Sequence, residues 1–165
     1  DLFFIHWECD PDEVQKTLPE GLFVDTFGGK AYIGIIPFKM RDVRPAFLPA
    51  IRKYSDFLET NVRTYVYNKE GIPGVWFYSL DTNRFLAALI ARKFFHLPYF
   101  VSKMQCQQDK QKFIYEMQRS NTEERFLFEL THSNSYKQAR EETLDSFLIE
   151  RYLLYSSKGN QIYSC

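Results

Sequence analysis

The segment Phe57–Tyr67, FLETNVRTYVY, carries the side chains best spaced for chemistry. In an extended strand, alternate residues share a face. One face then holds Phe57, Glu59, Asn61, Arg63, Tyr65 and Tyr67; the other holds Leu58, Thr60, Val62, Thr64 and Val66. The second face is small and β-branched and suits packing. The first sets an acid, an amide, a guanidinium and two phenols in one row. Lining a cavity, Arg63 would grip an anion, and Glu59 would act as acid, base or partner of the arginine. On the solvent face of a sheet, the same row would be cross-strand ion pairs worth about 1 kcal/mol at best.

Other candidates are weaker. His6 sits in an apolar strand beside Trp7, where a hydrogen-bonded core histidine is the usual role; His96 follows a helical run, and His132 stands alone. No two histidines have metal-ligand spacing, and there is no CxxC or carboxylate-rich segment, so no metal site is expected. TFGGKAY is a hairpin turn rather than a phosphate cradle, since no GxxxxGK[ST] or GxGxxG pattern surrounds it. Without a nucleotide or metal motif, no cofactor is expected. Cys9 precedes a helix start, where a thiolate can be favoured, but a buried spectator is the more usual role. Lys39, Arg41 and Arg44 could hold an anion or simply end a strand. Glu150 and Arg151 read as internal supports.

The elements that position these groups follow from pattern. Leu2–Glu8 reads as a strand. Asp10, Pro11 and Glu13 open a short helix as N-cap, first position and capping box. Leu22–Phe27 and Lys30–Val43 read as strands joined at Gly28-Gly29, and 44–56 as a loop. Gly74–Leu80 is a strand, after which Asp81 or Thr82 caps an apolar helix, RFLAALIARKFF, that Leu97-Pro98 ends. A meander of Tyr99–Gln107, Lys112–Gln118 and Arg125–His132 follows, then a polar loop over 133–142. Thr143 caps a last helix, LDSFLIERYLL, and Lys158-Gly159-Asn160 turns a terminal hairpin. Seven to nine mostly antiparallel strands with two or three helices make a mainly β (α+β) fold, a barrel or bent sheet on a buried helix. The 165 residues are expected to form a single domain, 1–165, clipped at one or both ends, since the chain opens at Asp1 without Met.

The balance of 21 basic and 21 acidic residues argues against nucleic acid and acidic membranes as partners. No apolar run approaches a transmembrane length, and no signal peptide is recognisable. Cysteines at 9, 106 and 165 are too few and too scattered for a disulfide framework, which points to a reducing, cytoplasmic setting.

LFFIHWECDPDEVQKTLPEGLFVDTFGGKAYIGIIPFKMRDVRP, then FLETNVRTYV, PGVWFYSLD, ARKFFHLPY and FLIERYLLY, resemble in order the YqjF-like proteins, a family of unknown function in the acetoacetate decarboxylase-like superfamily. The likeness covers Leu2–Met104 and Leu144–Tyr155; D-P-x-x-V…L-P-E-G-L is also similar to the decarboxylase opening. It implies a cone-shaped, mainly antiparallel β-barrel with flanking helices and an internal pocket. In the decarboxylase, a lysine after an aromatic-Pro pair forms an imine with the keto acid, helped by a second lysine. The matching positions here are Tyr99 and Phe100, neither of which can form an imine. Lys93 and Lys103 flank the junction without matching it. The resemblance also puts Glu59 where the decarboxylase has a pocket-facing Glu. It therefore implies a small-molecule-binding barrel without the imine lysine, its pocket lined by Glu59, Asn61, Arg63, Tyr65 and Tyr99. The ligand would be an apolar compound with a carboxylate or carbonyl. An enzyme of another class using Glu59, and a protein-interaction or self-associating module, are the alternatives.

Overall fold

The computed structural model describes residues 2–40, 56–85, 88, 89, 92, 93, 96–109, 112–120, 122–131, 138–159 and 161–165. The expected loop at 44–56 lies outside these apart from Asp56, as do Arg41, Arg44 and His132.

Ten strands form one sheet: β1 (Ile5–Cys9), β2 (Leu22–Val24), β3 (Ala31–Met40), β4 (Phe57–Asn68), β5 (Pro73–Thr82), β6 (Tyr99–Gln108), β7 (Lys112–Arg119), β8 (Arg125–Thr131), β9 (Leu154–Lys158) and β10 (Gln161–Ser164). The main path runs β1-β3-β4-β5-β6-β7-β8, with β2 beside β4 and the β9–β10 hairpin beside β5. All pairings are antiparallel except β5 with β6 and β5 with β9. A parallel pair needs a crossover, and the helical positions Phe85, Ala88, Leu89, Arg92 and Lys93 lie in the one between β5 and β6. The sheet curls into a half-barrel, so that Phe3 beside β1 meets Phe113 of β7 with ring centroids 4.5 Å apart.

Strand β4 is the pivot, with both faces buried over most of its length. Leu58 and Thr60 face the inside of the curl. There Leu58 packs with Met104, Phe113, Tyr115 and Met117, and Thr60 donates to the Tyr115 hydroxyl at 3.1 Å. The opposite face meets helix α2 (Leu144–Ile149), whose Phe147 ring stands 5.2 Å from that of Tyr65.

Four expectations are corrected. β2 pairs with β4 rather than β3. The Gly28-Gly29 turn, with φ of 59° and 77°, suits a tight hairpin, yet it closes only the bridge between Phe27 and Lys30. Asp25 then turns its N–H to the Tyr65 carbonyl of β4. Asp81 and Thr82 end β5; Asp81 turns to Arg119 instead of capping the helix, while Thr82 accepts from the Arg84 N–H at 3.3 Å ahead of it. The capping box is half formed: Asp10 accepts from the Asp12 N–H, while Glu13 pairs with Lys16. The last helix stops at Ile149, because Arg151 leaves it to pair with Asp25 at 3.0 Å and to lie over the Phe147 ring.

Candidate functional site

Alternation along β4 puts Glu59, Asn61, Arg63 and Tyr65 on the face away from the curl. All are buried, at 5%, 6%, 9% and 0% exposure. The solvent-face reading is therefore overturned. Tyr99 opens β6 opposite Leu80 of β5, which pairs in turn with Asn61. Tyr67, farther along, is exposed.

The row resolves into two centres. At one, the Tyr99 hydroxyl donates to Glu59 Oε2 at 3.1 Å. Burial pushes the Glu59 carboxyl up to about 7, the hydrogen bond from Tyr99 working against it. Burial, then the neighbouring Glu59 charge, raises the Tyr99 phenol. At the other, Arg63 Nη2 donates to the Leu148 carbonyl at 3.2 Å and to the Tyr65 hydroxyl at 3.3 Å. The Arg63 guanidinium also lies 5.2 Å from the Phe4 ring centroid. Among the described residues no ion pair joins Glu59 to Arg63. Four residues of strand hold their backbones ~13 Å apart, so the expected Glu59–Arg63 partnership does not form.

Between and within these centres, buried polar atoms lack partners among the described residues: Asn61 Oδ1 and Arg63 Nε. Buried polar groups are almost always hydrogen-bonded; elsewhere among the described residues Arg84 Nε and Arg151 Nε are in the same condition.

His6 belongs to the second centre. Its Nε2 lies 2.7 Å from the Tyr65 hydroxyl. Tyr65 has one proton to give, and the Leu148 carbonyl stands 2.9 Å away to receive it. With the proton there, His6 donates from Nε2 and Tyr65 accepts from both His6 and Arg63. Burial first, and the Arg63 charge second, push the imidazole down to about 4, so His6 is neutral near pH 7. Gly34 makes the approach possible: a Cβ there would stand 2.8 Å from His6 Nε2. The sequence marks this only as a glycine in an otherwise bulky strand.

The remaining candidates lie apart from the row. Lys93 and Lys103 are exposed, as is every other described lysine. Cys9 Sγ points to the Trp7 carbonyl, and all three cysteines are free. His96 has a φ of 52° and a ring 5.7 Å from Tyr163. Among the described residues no cluster of His, Cys, Asp and Glu is arranged to hold a metal ion. No described helix is long and apolar enough to cross a membrane. Clefts of about 520 and about 470 Å³ open elsewhere, and none of Glu59, Asn61, Arg63, Tyr65 and Tyr99 lines them. A cavity of about 170 Å³ inside the curl is lined by Thr60, Asp81, Met117, Arg119, Phe126 and Phe128, among others.

A different buried charge sits on that curl face. Asp81 accepts from Arg119 Nε at 2.8 Å, from Arg119 Nη2 at 2.7 Å and from the Ser102 hydroxyl at 2.7 Å. Sequence reading missed this pair, having offered Asp81, with Thr82 as the alternative, for a helix cap.

The fold is similar to that of solved acetoacetate decarboxylase-like proteins. Acetoacetate decarboxylase from Legionella pneumophila aligns with a TM-score of 0.68 at 17% identity, over 94% of this chain and 55% of that one. An acetoacetate decarboxylase-like enzyme from Sphingomonas wittichii aligns at 0.64 and 15% identity, over 99% of this chain and 67% of that one. The chain thus spans little more than half the length of the Legionella decarboxylase. In sequence, it is 38% identical over 164 residues to the uncharacterized protein YqjF of Bacillus subtilis (strain 168), which covers 99% of this chain and 67% of YqjF. Residues 1–165 match a single family along their whole length, and the chain belongs to it: DUF2071, a family of uncharacterized conserved proteins.

Proposed function

We propose that this chain is a small-molecule-binding half-barrel. Its ligand, an apolar compound bearing a carboxylate or carbonyl, lies along the row from Glu59 to Arg63. The carrying observation is Arg63: nine-tenths buried and, among the described residues, met by a phenol, a backbone carbonyl and aromatic rings but no carboxylate, with Nε unpartnered. A buried charge without its opposite is costly. A ligand carboxylate supplies that opposite, and Asn61 Oδ1 awaits a donor one position away on the same face. Imine chemistry is absent from this reading. Tyr99 holds the position that the resemblance gives to the decarboxylase lysine, and the described lysines all face outward. The free cysteines fit a cytoplasmic location.

Thermal denaturation with a panel of aliphatic, aromatic and 2-oxo carboxylates tests it. Some member should raise the Tm of the wild type and leave Arg63→Met unmoved. A panel without effect, or a stable adduct after borohydride treatment with a keto acid, would overturn it.

A second reading has its own support. Glu59, pushed up to about 7 and touching Tyr99, is poised to take or give a proton at neutral pH. That makes the chain an enzyme of another class, acting on a small carbonyl or carboxylate compound. Turnover of a bound carboxylate that is lost in Glu59→Gln, with binding kept, selects it. A protein-interaction role gains least, because the polar row is buried.

A further inference from the structure

Strand β8 ends the sheet. Among the described residues its one hydrogen-bonded neighbour is β7, and no described strand pairs the backbone N–H and C=O groups of its outer edge. The edge is apolar as well: Phe126 is 42% exposed and Leu127 55%. Proteins usually blunt such edges with Lys, Pro or a bulge. β8, RFLFELT, has none of these.

Its sequence has a local symmetry about Leu127. Phe126 and Phe128 flank it, and Arg125 and Glu129 stand two positions away with opposite charge. In an antiparallel pair of two β8 strands centred on Leu127, Arg125 faces the second copy's Glu129 and Glu129 its Arg125. Phe126 faces the second copy's Phe128, and Leu127 faces itself. Alternation keeps Arg125, Leu127 and Glu129 on one face and the phenylalanines on the other. Opposite charges and paired aromatics are the cross-strand neighbours that stabilise a sheet. Moving the centre one residue either way sets Leu127 against Glu129 or against Arg125, so a single register satisfies both faces. Glu129 already reaches Lys112 at 3.0 Å, but both groups are half exposed and the carboxylate keeps room for a second cation.

We propose that two copies of this chain associate edge to edge along β8, continuing the sheet across a two-fold axis. This is an isologous contact, in which each half supplies what the other lacks. The paired phenylalanines fall on the curl face, where Phe126 and Phe128 line the cavity of about 170 Å³.

Light scattering during size exclusion of the purified protein, over a range of concentrations, reads the association. The wild type should run as a dimer. Arg125→Glu sets like charges opposite each other at both ends and should weaken the dimer by about tenfold or more. Adding Glu129→Arg to that variant restores the opposite charges, and with them the dimer. Both residues are exposed, so the fold tolerates the changes. Leu127→Cys brings two thiols together at a Cα separation of about 4.5 to 5.5 Å, within disulfide reach. Mild oxidation should then yield a covalent dimer that the wild type does not form. A protein that stays monomeric at every concentration overturns the proposal, as does a dimer indifferent to the charge reversal and not trapped by Cys at 127. Monomers whose β8 amides resist hydrogen exchange also overturn it, and would mean that the same chain covers this edge.

Discussion

Two arginines serve opposite faces of the same sheet, Arg63 buried and Arg119 partly exposed, and their company differs. Arg119 forms a two-pronged pair with Asp81, whose side chain is 1% exposed, and Ser102 completes the shell. Arg63 finds a phenol, a backbone carbonyl and aromatic rings, and keeps an unmatched Nε. A charge whose every contact is internal holds the fold together. A charge left with neutral contacts is what the proposed ligand carboxylate would match. The less buried of the two is the one with a carboxylate partner, so the charge of the partners and not burial sets them apart.

Cutting the matched pair should have the largest effect. Arg119→Met leaves the Asp81 carboxylate buried with only a hydroxyl, and should cost about 3 to 5 kcal/mol in denaturant unfolding. A loss under about 1 kcal/mol would show that the pair is not structural.

Next comes pH, through Glu59. Below 4.5 both folded and unfolded chains hold this proton. As pH rises, the unfolded chain ionises first, while the folded one keeps its proton until about 7. Folding stability contributed at low pH is therefore lost across that window, by about 3 kcal/mol in all. His6, lowered from 6.5 to about 4, acts oppositely, its contribution being lost as pH falls through that range. Glu59→Gln should thus abolish the loss on the alkaline side and leave only the acid loss, read as urea midpoints at about pH 5 and about pH 8. An unchanged profile would mean that Glu59 titrates normally.

Tyr99→Phe should follow, costing about 1 kcal/mol for one hydrogen bond. It should also push the Glu59 carboxyl higher, since the phenol is what holds it down; a titration of Glu59 by NMR checks the direction.

Arg63→Met should have the smallest effect on stability, within about 1 kcal/mol. The Leu148 carbonyl keeps its bond from Tyr65, so no acceptor is orphaned. A loss as large as that of Arg119→Met would erase the distinction between the two arginines.

The period-2 row on β4 was legible because alternation is a local property, and so were the meander and the terminal hairpin, in which Lys158 faces Gln161. Its burial was not legible, because burial depends on helix α2, more than eighty residues on. Asp81 misled for a local reason: Asp at the end of a strand looks the same as Asp opening a helix, and only Arg119 across the sheet tells them apart. β2 misled because a Gly-Gly turn states that the chain reverses, not which strand it joins. His6 could be read as a hydrogen-bonded core histidine, but its partner required knowing that Gly34 faces it.

The span of these tethers has a kinetic corollary. Arg63 reaches Leu148 across 85 positions, His6 reaches Tyr65 across 59 and Glu59 reaches Tyr99 across 40. The β6–β7–β8 ribbons close over short turns. Distant loops carry a higher entropic cost to close, so the ribbons can zip early, while the Glu59–Tyr99 centre waits on a 40-residue closure and the Arg63 centre on the arrival of both His6 and Leu148 at β4.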